Sequence, residues 1–185
     1  QSVNDLREEK YLVLDTKFFD MKFKYKLLSE FDNLDVDING LLINSENFGA
    51  LNLLQDRYKG QIDLGYIDPP FNTGSDEAFD YKDNYQNSSW FSLMEDRIIL
   101  GKNLLSDIGS FYLHLDENAN YFGRLLMDSL FTDNFLNEFI WCYRGMAIAK
   151  NNFTRRHDTV LIYKNQENNI FNWEEIAEPL SDTTV

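Results

Sequence analysis

Residues 63–74 read Asp-Leu-Gly-Tyr-Ile-Asp-Pro-Pro-Phe-Asn-Thr-Gly, a strand-like apolar run that passes directly into an acid, two prolines and an aromatic ring. The chain has only three prolines in 185 residues, and two of them stand here. Proline offers no N–H to a ladder and sets φ at about −65°, so Pro69 and Pro70 end a strand over 62–67 and stiffen the turn behind it. An acid directly after a buried strand is aimed into the crevice at the sheet edge. With the strand ended, the carbonyls of Asp68 and Pro69 are acceptors beside the Asp68 carboxylate, and Phe71 adds a flat apolar face. Two acceptors and a ring suit a planar molecule that carries an exocyclic NH2. Such a nitrogen is a weak nucleophile until both N–H groups are accepted and its lone pair leaves the ring system.

Upstream, Leu41-Leu42-Ile43 reads as a short strand, Asn44–Asn47 as a polar loop, and Phe48, Leu51, Leu54 and Tyr58 fall at helical spacing. Gly60 closes that helix. Downstream, Trp90, Leu93, Met94, Arg97, Ile98, Leu104 and Leu105 share a helical face, Asp107-Ile108-Gly109 reads as a turn, and Phe111, Leu113 and Leu115 alternate with Tyr112 and His114 over a strand at 110–115. A helix over 117–131 and strands over 135–143 and 159–163 complete the pattern. Strands alternating with helices predict an α/β fold with a doubly wound, mostly parallel sheet. In such sheets ligands lie beyond the carboxyl ends of the strands, where Glu46 and Asp68 both fall. Residues 1–40 are charge-rich with scattered apolar positions, as in short amphipathic helices, and form an N-terminal helical appendage.

Composition narrows the function classes. At 43% hydrophobic and 15% aromatic residues, the chain can build a packed core. The longest apolar run, Phe139–Tyr143, is far short of a bilayer span, and Gln1 onward has no signal-peptide pattern, so a soluble cytoplasmic protein is expected. One cysteine, Cys142, excludes an internal disulfide, and the two histidines, His114 and His157, show no metal-ligand spacing, so no metal is expected. The net charge of −14 disfavours a wholly DNA-binding surface. Between Phe139 and His157, however, stand Arg144, Lys150, Arg155 and Arg156 with no acid, which reads either as a phosphate-binding patch or as a solvated loop that lacks acids. Trp90 and Trp141 fall in apolar periodic segments and read as core, His157 as a satisfied structural histidine, and Asp116 as a helix N-cap.

The quartet Asp68-Pro69-Pro70-Phe71 resembles the catalytic motif of amino-methyltransferases that modify adenine N6 or cytosine N4 in DNA using S-adenosylmethionine. In order, the stretches 41–74, 81–131, 137–145 and 155–165, together with 12–35, resemble the amino-terminal half of the modification subunit of type III restriction-modification systems. The resemblance implies a beta-class DNA adenine-N6 methyltransferase built on a Rossmann-like fold, with 41–165 as the catalytic half and 166–185 leading toward a target-recognition region. It implies that the target adenine is flipped from double-stranded DNA and stacked on Phe71. Asp68 and the Pro69 carbonyl would grip its amino hydrogens, and the Arg144–Arg156 window would touch phosphates. By position, Glu46 and Asn47 match the segment that approaches the adenine of the cofactor, Glu46 as an acceptor for its amino group.

The family's Gly-rich F-x-G-x-G motif is not found: the nine glycines include no G-x-G. Half of the cofactor site is therefore expected outside these residues, and the chain alone is expected to be inactive. A homodimer of the full-length subunit and a separate helicase-nuclease restriction subunit are implied as partners. Cytosine-N4 methylation stays open as an alternative, ranked second because Ser more often replaces the Asp in those relatives. A noncatalytic subunit that keeps the fold for assembly or DNA positioning is the alternative of another class. Cytosine-C5 chemistry needs a Cys beside proline, and Cys142 follows Trp141.

Overall fold

The computed structural model describes residues 8, 15–75, 80–144, 151 and 153–177. The chain divides into two compact units, residues 1–44 and 45–185. In the first, a 3-10 turn at Thr16–Phe18 is capped by the Asp15 carboxylate, which accepts from the Lys17 N–H. Asp20 likewise accepts from the Phe23 N–H and starts helix α1 (Met21–Leu28), and one further turn, α2 (Leu34–Asp37), follows. Leu41–Ile43 forms no strand. An apolar triplet becomes a strand only against a partner's backbone, and Leu42 is 97% exposed.

The second unit carries the sheet. Helix α3 (Asn47–Tyr58) is capped by Glu46, whose carboxylate accepts from the Gly49 N–H at 3.1 Å, and Gly60 ends it in the left-handed region at φ 70°. Strand β1 (Ile62–Ile67) stops at the prolines, as the sequence predicts. Helix α4 (Asn87–Leu104) buries Trp90, Met94 and Ile98, spaced four apart on one face. It enters β2 (Leu105–Leu115) with no intervening loop. The expected turn at 107–109 is strand, with the β1–β2 register shifting between Ile62 and Leu64 to absorb the extra residues. Helix α5 (Asn120–Leu130), β3 (Phe135–Cys142), β4 (His157–Lys164) and the short α6 (Trp173–Ile176) follow.

The strand order is β1-β2-β4-β3. β1 and β2 pair in parallel through the α4 crossover, whereas β4 runs antiparallel to both of its neighbours. Three of the four strands thus point one way and only β4 is reversed, so the α/β class stands, while the sheet is mixed: one of its three pairings is parallel and two are antiparallel. Phe111, Leu113 and Leu115 from β2, with Leu161 and Tyr163 from β4, form the core under α4 and α5. Burying each such side chain stabilises by about 1.5–3 kcal/mol. The Phe111 ring fits between glycines: a Cβ on Gly65 would stand 3.1 Å from it and one on Gly101 2.9 Å. The opposite face presents Leu64, Tyr66, Phe139 and Trp141, all more than half exposed. Trp90 is core at 1% exposure, but Trp141 is not: at 63% it projects from the edge strand, where apolar periodicity finds no second layer among the described residues.

Candidate functional site

The like-directed strands bring their carboxyl ends to one sheet edge. Asp68 follows β1, Asp116 follows β2, Tyr143 follows β3, and the reversed β4 delivers His157 and Asp158 to the same edge, since Cys142 pairs with His157 and Leu115 with Thr159. Asp68 is exposed there, and among the described residues no hydrogen bond reaches its carboxylate or the Pro69 carbonyl. The Pro70 carbonyl differs: it accepts from the indole Nε1–H of buried Trp90 at 2.8 Å. The two prolines are thereby distinguished, one carbonyl used in packing and the other left as an acceptor beside Asp68. Phe71 is half-buried against the core, with its ring centroid 5.7 Å from the His114 ring at 46°.

A second carboxylate, which sequence patterning did not single out, shapes the loop beyond. Asp83, 1% exposed, accepts the Asn72 N–H at 2.8 Å and the Thr73 N–H at 3.1 Å, and also the Thr73 hydroxyl, while its own carbonyl accepts the Gly74 N–H at 3.2 Å. Asn72 sits in the left-handed region at φ 57°, and its Oδ1 accepts the Tyr85 N–H at 2.7 Å. Gly74, at φ 84°, is the position where a side chain would be strained.

His114 forms a further network across the open sheet face. Its Nδ1 lies 2.8 Å from the Tyr66 hydroxyl and its Nε2 3.3 Å from Asp158, whose other oxygen accepts from the Tyr143 hydroxyl at 3.4 Å. A carboxylate only accepts, so Nε2 carries the proton and a neutral ring accepts at Nδ1 from Tyr66. Burial, and then the charges of Asp68 and Asp158, raise the Tyr66 hydroxyl above the usual phenol range. His114 is thus the satisfied histidine, while His157 is exposed.

Asp116 does not cap α5. Its carboxylate accepts from the backbone and side chain of Asn118 in an Asx turn, and the capping position is Ala119, with no side-chain bond. Burial raises Asp116 above the usual carboxylate range.

Glu46 and Asn47 lie at the amino end of α3. The Glu46 carboxylate, held below its usual range by the Phe48 and Gly49 N–H groups and then by Arg97, also pairs with the Arg97 guanidinium at 2.7 Å. It remains an exposed anion with spare lone pairs, which fits the adenine end of an adenosyl cofactor. For the other end, the sequence contains no G-x-G turn. In the basic window, Arg144 is exposed, and Arg155 pairs with Glu117 at 2.5 Å. The Arg156 carbonyl accepts the Tyr143 N–H at 3.0 Å, and Lys150 lies outside the described residues. Among the described residues, no group of three His, Cys, Asp or Glu side chains could hold a metal, and no helix is long and apolar enough to cross a membrane.

The family model for DNA methylases of the N6/N4 type matches residues 62–185, from the first residue of β1 onward. The chain belongs to this DNA methylase family. Among curated relatives, a probable type III restriction-modification enzyme Mod subunit, HindVI, of Haemophilus influenzae is 41% identical over 98 residues, 52% of this chain and 13% of the relative. The StyLTI Mod subunit of Salmonella typhimurium is 26% identical over 155 residues, 68% of this chain and 24% of the relative. Among solved structures, the cytosine-N4-specific PvuII DNA methyltransferase aligns at 16% identity with a TM-score of 0.49, covering 69% of this chain and 50% of that one. The chain thus spans 13% and 24% of the length of these two Mod subunits.

Proposed function

We propose that this chain is the amino-terminal catalytic portion of a type III modification subunit that methylates adenine N6 in double-stranded DNA. The observation that carries the reading is the unequal use of the two proline carbonyls: Trp90 occupies Pro70, while Asp68 and Pro69 stand as exposed or half-exposed acceptors at the sheet edge. The target adenine leaves the duplex at a cost of a few kcal/mol in stacking and pairing. Phe71 backs its ring. The Asp68 carboxylate and the Pro69 carbonyl each accept one N6 hydrogen, which turns the nitrogen lone pair out of the ring system. Bound S-adenosylmethionine supplies a sulfonium methyl as the electrophile, with Glu46 and Asn47 at its adenine end. The Gly-rich turn for its other end belongs to a segment outside these residues, so 1–185 alone is inactive in this reading. Arg144, Lys150, Arg155 and Arg156 approach phosphates, and 166–185 lead toward the target-recognition region. A restriction subunit and a second copy of the full subunit complete the assembly.

Adenine is favoured over cytosine by Asp rather than Ser at position 68 and by the relation to Mod subunits. The test is digestion of methylated DNA to nucleosides. N6-methyladenine supports the reading, and N4-methylcytosine replaces it with cytosine-N4 transfer on the same geometry.

A further inference from the structure

We propose that Asp83 is a positioning residue for methyl transfer, acting through residues 72–74 to fix the turn that holds the Asp68 and Pro69 acceptors. This rests on the assignment of those two acceptors above. The turn is pinned along one side only. Pro70 is held by Trp90, and Asn72, Thr73 and Gly74 are held by Asp83, whereas no hydrogen bond from the described residues reaches the Asp68 carboxylate or the Pro69 carbonyl.

The choice of anchor is informative. Burying a carboxylate is costly unless its lone pairs are filled, and at 1% exposure Asp83 is filled by two consecutive backbone N–H groups and a hydroxyl from the segment just after Phe71. In ordinary turns Asn and Asp hydrogen-bond the backbone about two residues on, whereas Asp83 reaches back eleven residues to Asn72. Here the acid instead sustains a non-glycine residue, Asn72, in the left-handed region. Such a conformation persists only where the surroundings over-determine it. Asn72 contributes to that by accepting from Tyr85 and by donating to Asn87 at 3.3 Å. One peptide separates Asn72 from Phe71 and three from Pro69, so rotation of the Asn72 backbone is transmitted to the ring and the acceptor. Acceptors fixed before the substrate arrives need no reorganisation during reaction, which is where preorganised polar groups gain their effect.

The test uses the complete subunit that carries this chain together with its Gly-rich segment, and four variants: Asp83→Asn, Thr73→Val, Thr73→Ser and Asp68→Ala. In Asp83→Asn one oxygen becomes an NH2 that faces a donor. A single-turnover rate at least tenfold below the parent is expected, with cofactor Kd unchanged within twofold. Thr73→Val removes one donor at nearly constant volume and should slow transfer three- to tenfold, while Thr73→Ser keeps the hydroxyl and should stay within twofold of the parent. If Asp83→Asn does not fold, the threonine pair decides: equal rates in Val and Ser overturn the proposal. Parent-like turnover in Asp83→Asn overturns it as well. With Asp68→Ala inactive, either result removes the role of Asp83 and leaves the assignment of Asp68 standing, whereas an active Asp68→Ala refutes that assignment itself.

Discussion

Replacing Trp90 by its benzothiophene analogue, which keeps the bicyclic shape but exchanges the indole N–H for sulfur, isolates the bond to Pro70. The native contact is a 2.8 Å hydrogen bond from a side chain 1% exposed to a carbonyl on a half-buried residue. An intramolecular hydrogen bond contributes about 1 kcal/mol net, and an acceptor left buried and unpaired costs about 1–3 kcal/mol. Because Pro70 is only half-buried, partial rehydration is available, which places the loss at about 1–2 kcal/mol. Trp90→Phe adds the missing ring and its edge contact with Phe91, 5.9 Å between centroids at 84°. The total for Trp90→Phe is then about 2–4 kcal/mol, below the cost of a full truncation to Ala. Against a typical stability of about 5–15 kcal/mol, both changes are measurable as shifts of the urea midpoint at constant m-value. An analogue within about 0.5 kcal/mol of the parent would refute the bond as a determinant of the turn.

Gly123→Ala opposes two effects: alanine gains about 1 kcal/mol in helix propensity, but its Cβ would overlap Leu115 Cδ1 and stand 3.2 Å from Leu113 Cδ2, both on fully buried residues. Net destabilisation of about 1–3 kcal/mol is expected from the overpacking, and an equally stable variant would show that α5 does not lie as described. Burial tends to raise the Glu117 carboxyl, but its bond to Arg155 outweighs that and holds it below the ordinary 4.5. A depressed folded value means that the pair stabilises fully above pH 4.5 and is lost as pH falls through the lower folded value. The urea midpoint should therefore fall less steeply into acid for Glu117→Gln than for the parent, and parallel curves would contradict the pairing. Since Glu117 offsets Arg155, Arg144→Gln should flatten the salt dependence of DNA binding by about one unit of slope, and Arg155→Gln by less. Equal slopes in both variants would argue against the offset.

Elements with a local signal were legible. The helices at 47–58 and 87–104 announced themselves by periodicity, and β1 by the prolines that end it. Leu41–Ile43 misled because an apolar triplet says nothing of whether a partner strand exists. The reversal of β4 was not legible, since direction depends on how the 143–156 connection returns, and no residue pattern encodes that. Trp141 misled because alternation marks a strand without saying whether its second face is covered.

At the site, Asp68 and Phe71 could be read from the chain because their meaning lies in adjacency. Asp83 could not, because an acid in a polar loop looks the same whether solvated or buried, and its role arises from a return of the chain eleven residues after Asn72. The basic window was visible as composition, but its pairing with Glu117 crosses 38 residues and needs the fold.

The central claim is that the Asp68 carboxylate grips an amino hydrogen of the target base. Its most direct test is the yield of N6-methyladenine in DNA treated with the complete subunit carrying Asp68→Ala, with S-adenosylmethionine binding measured on the same protein. Undetectable methyladenine with cofactor binding intact is the predicted result. Methylation at the parent rate would contradict it.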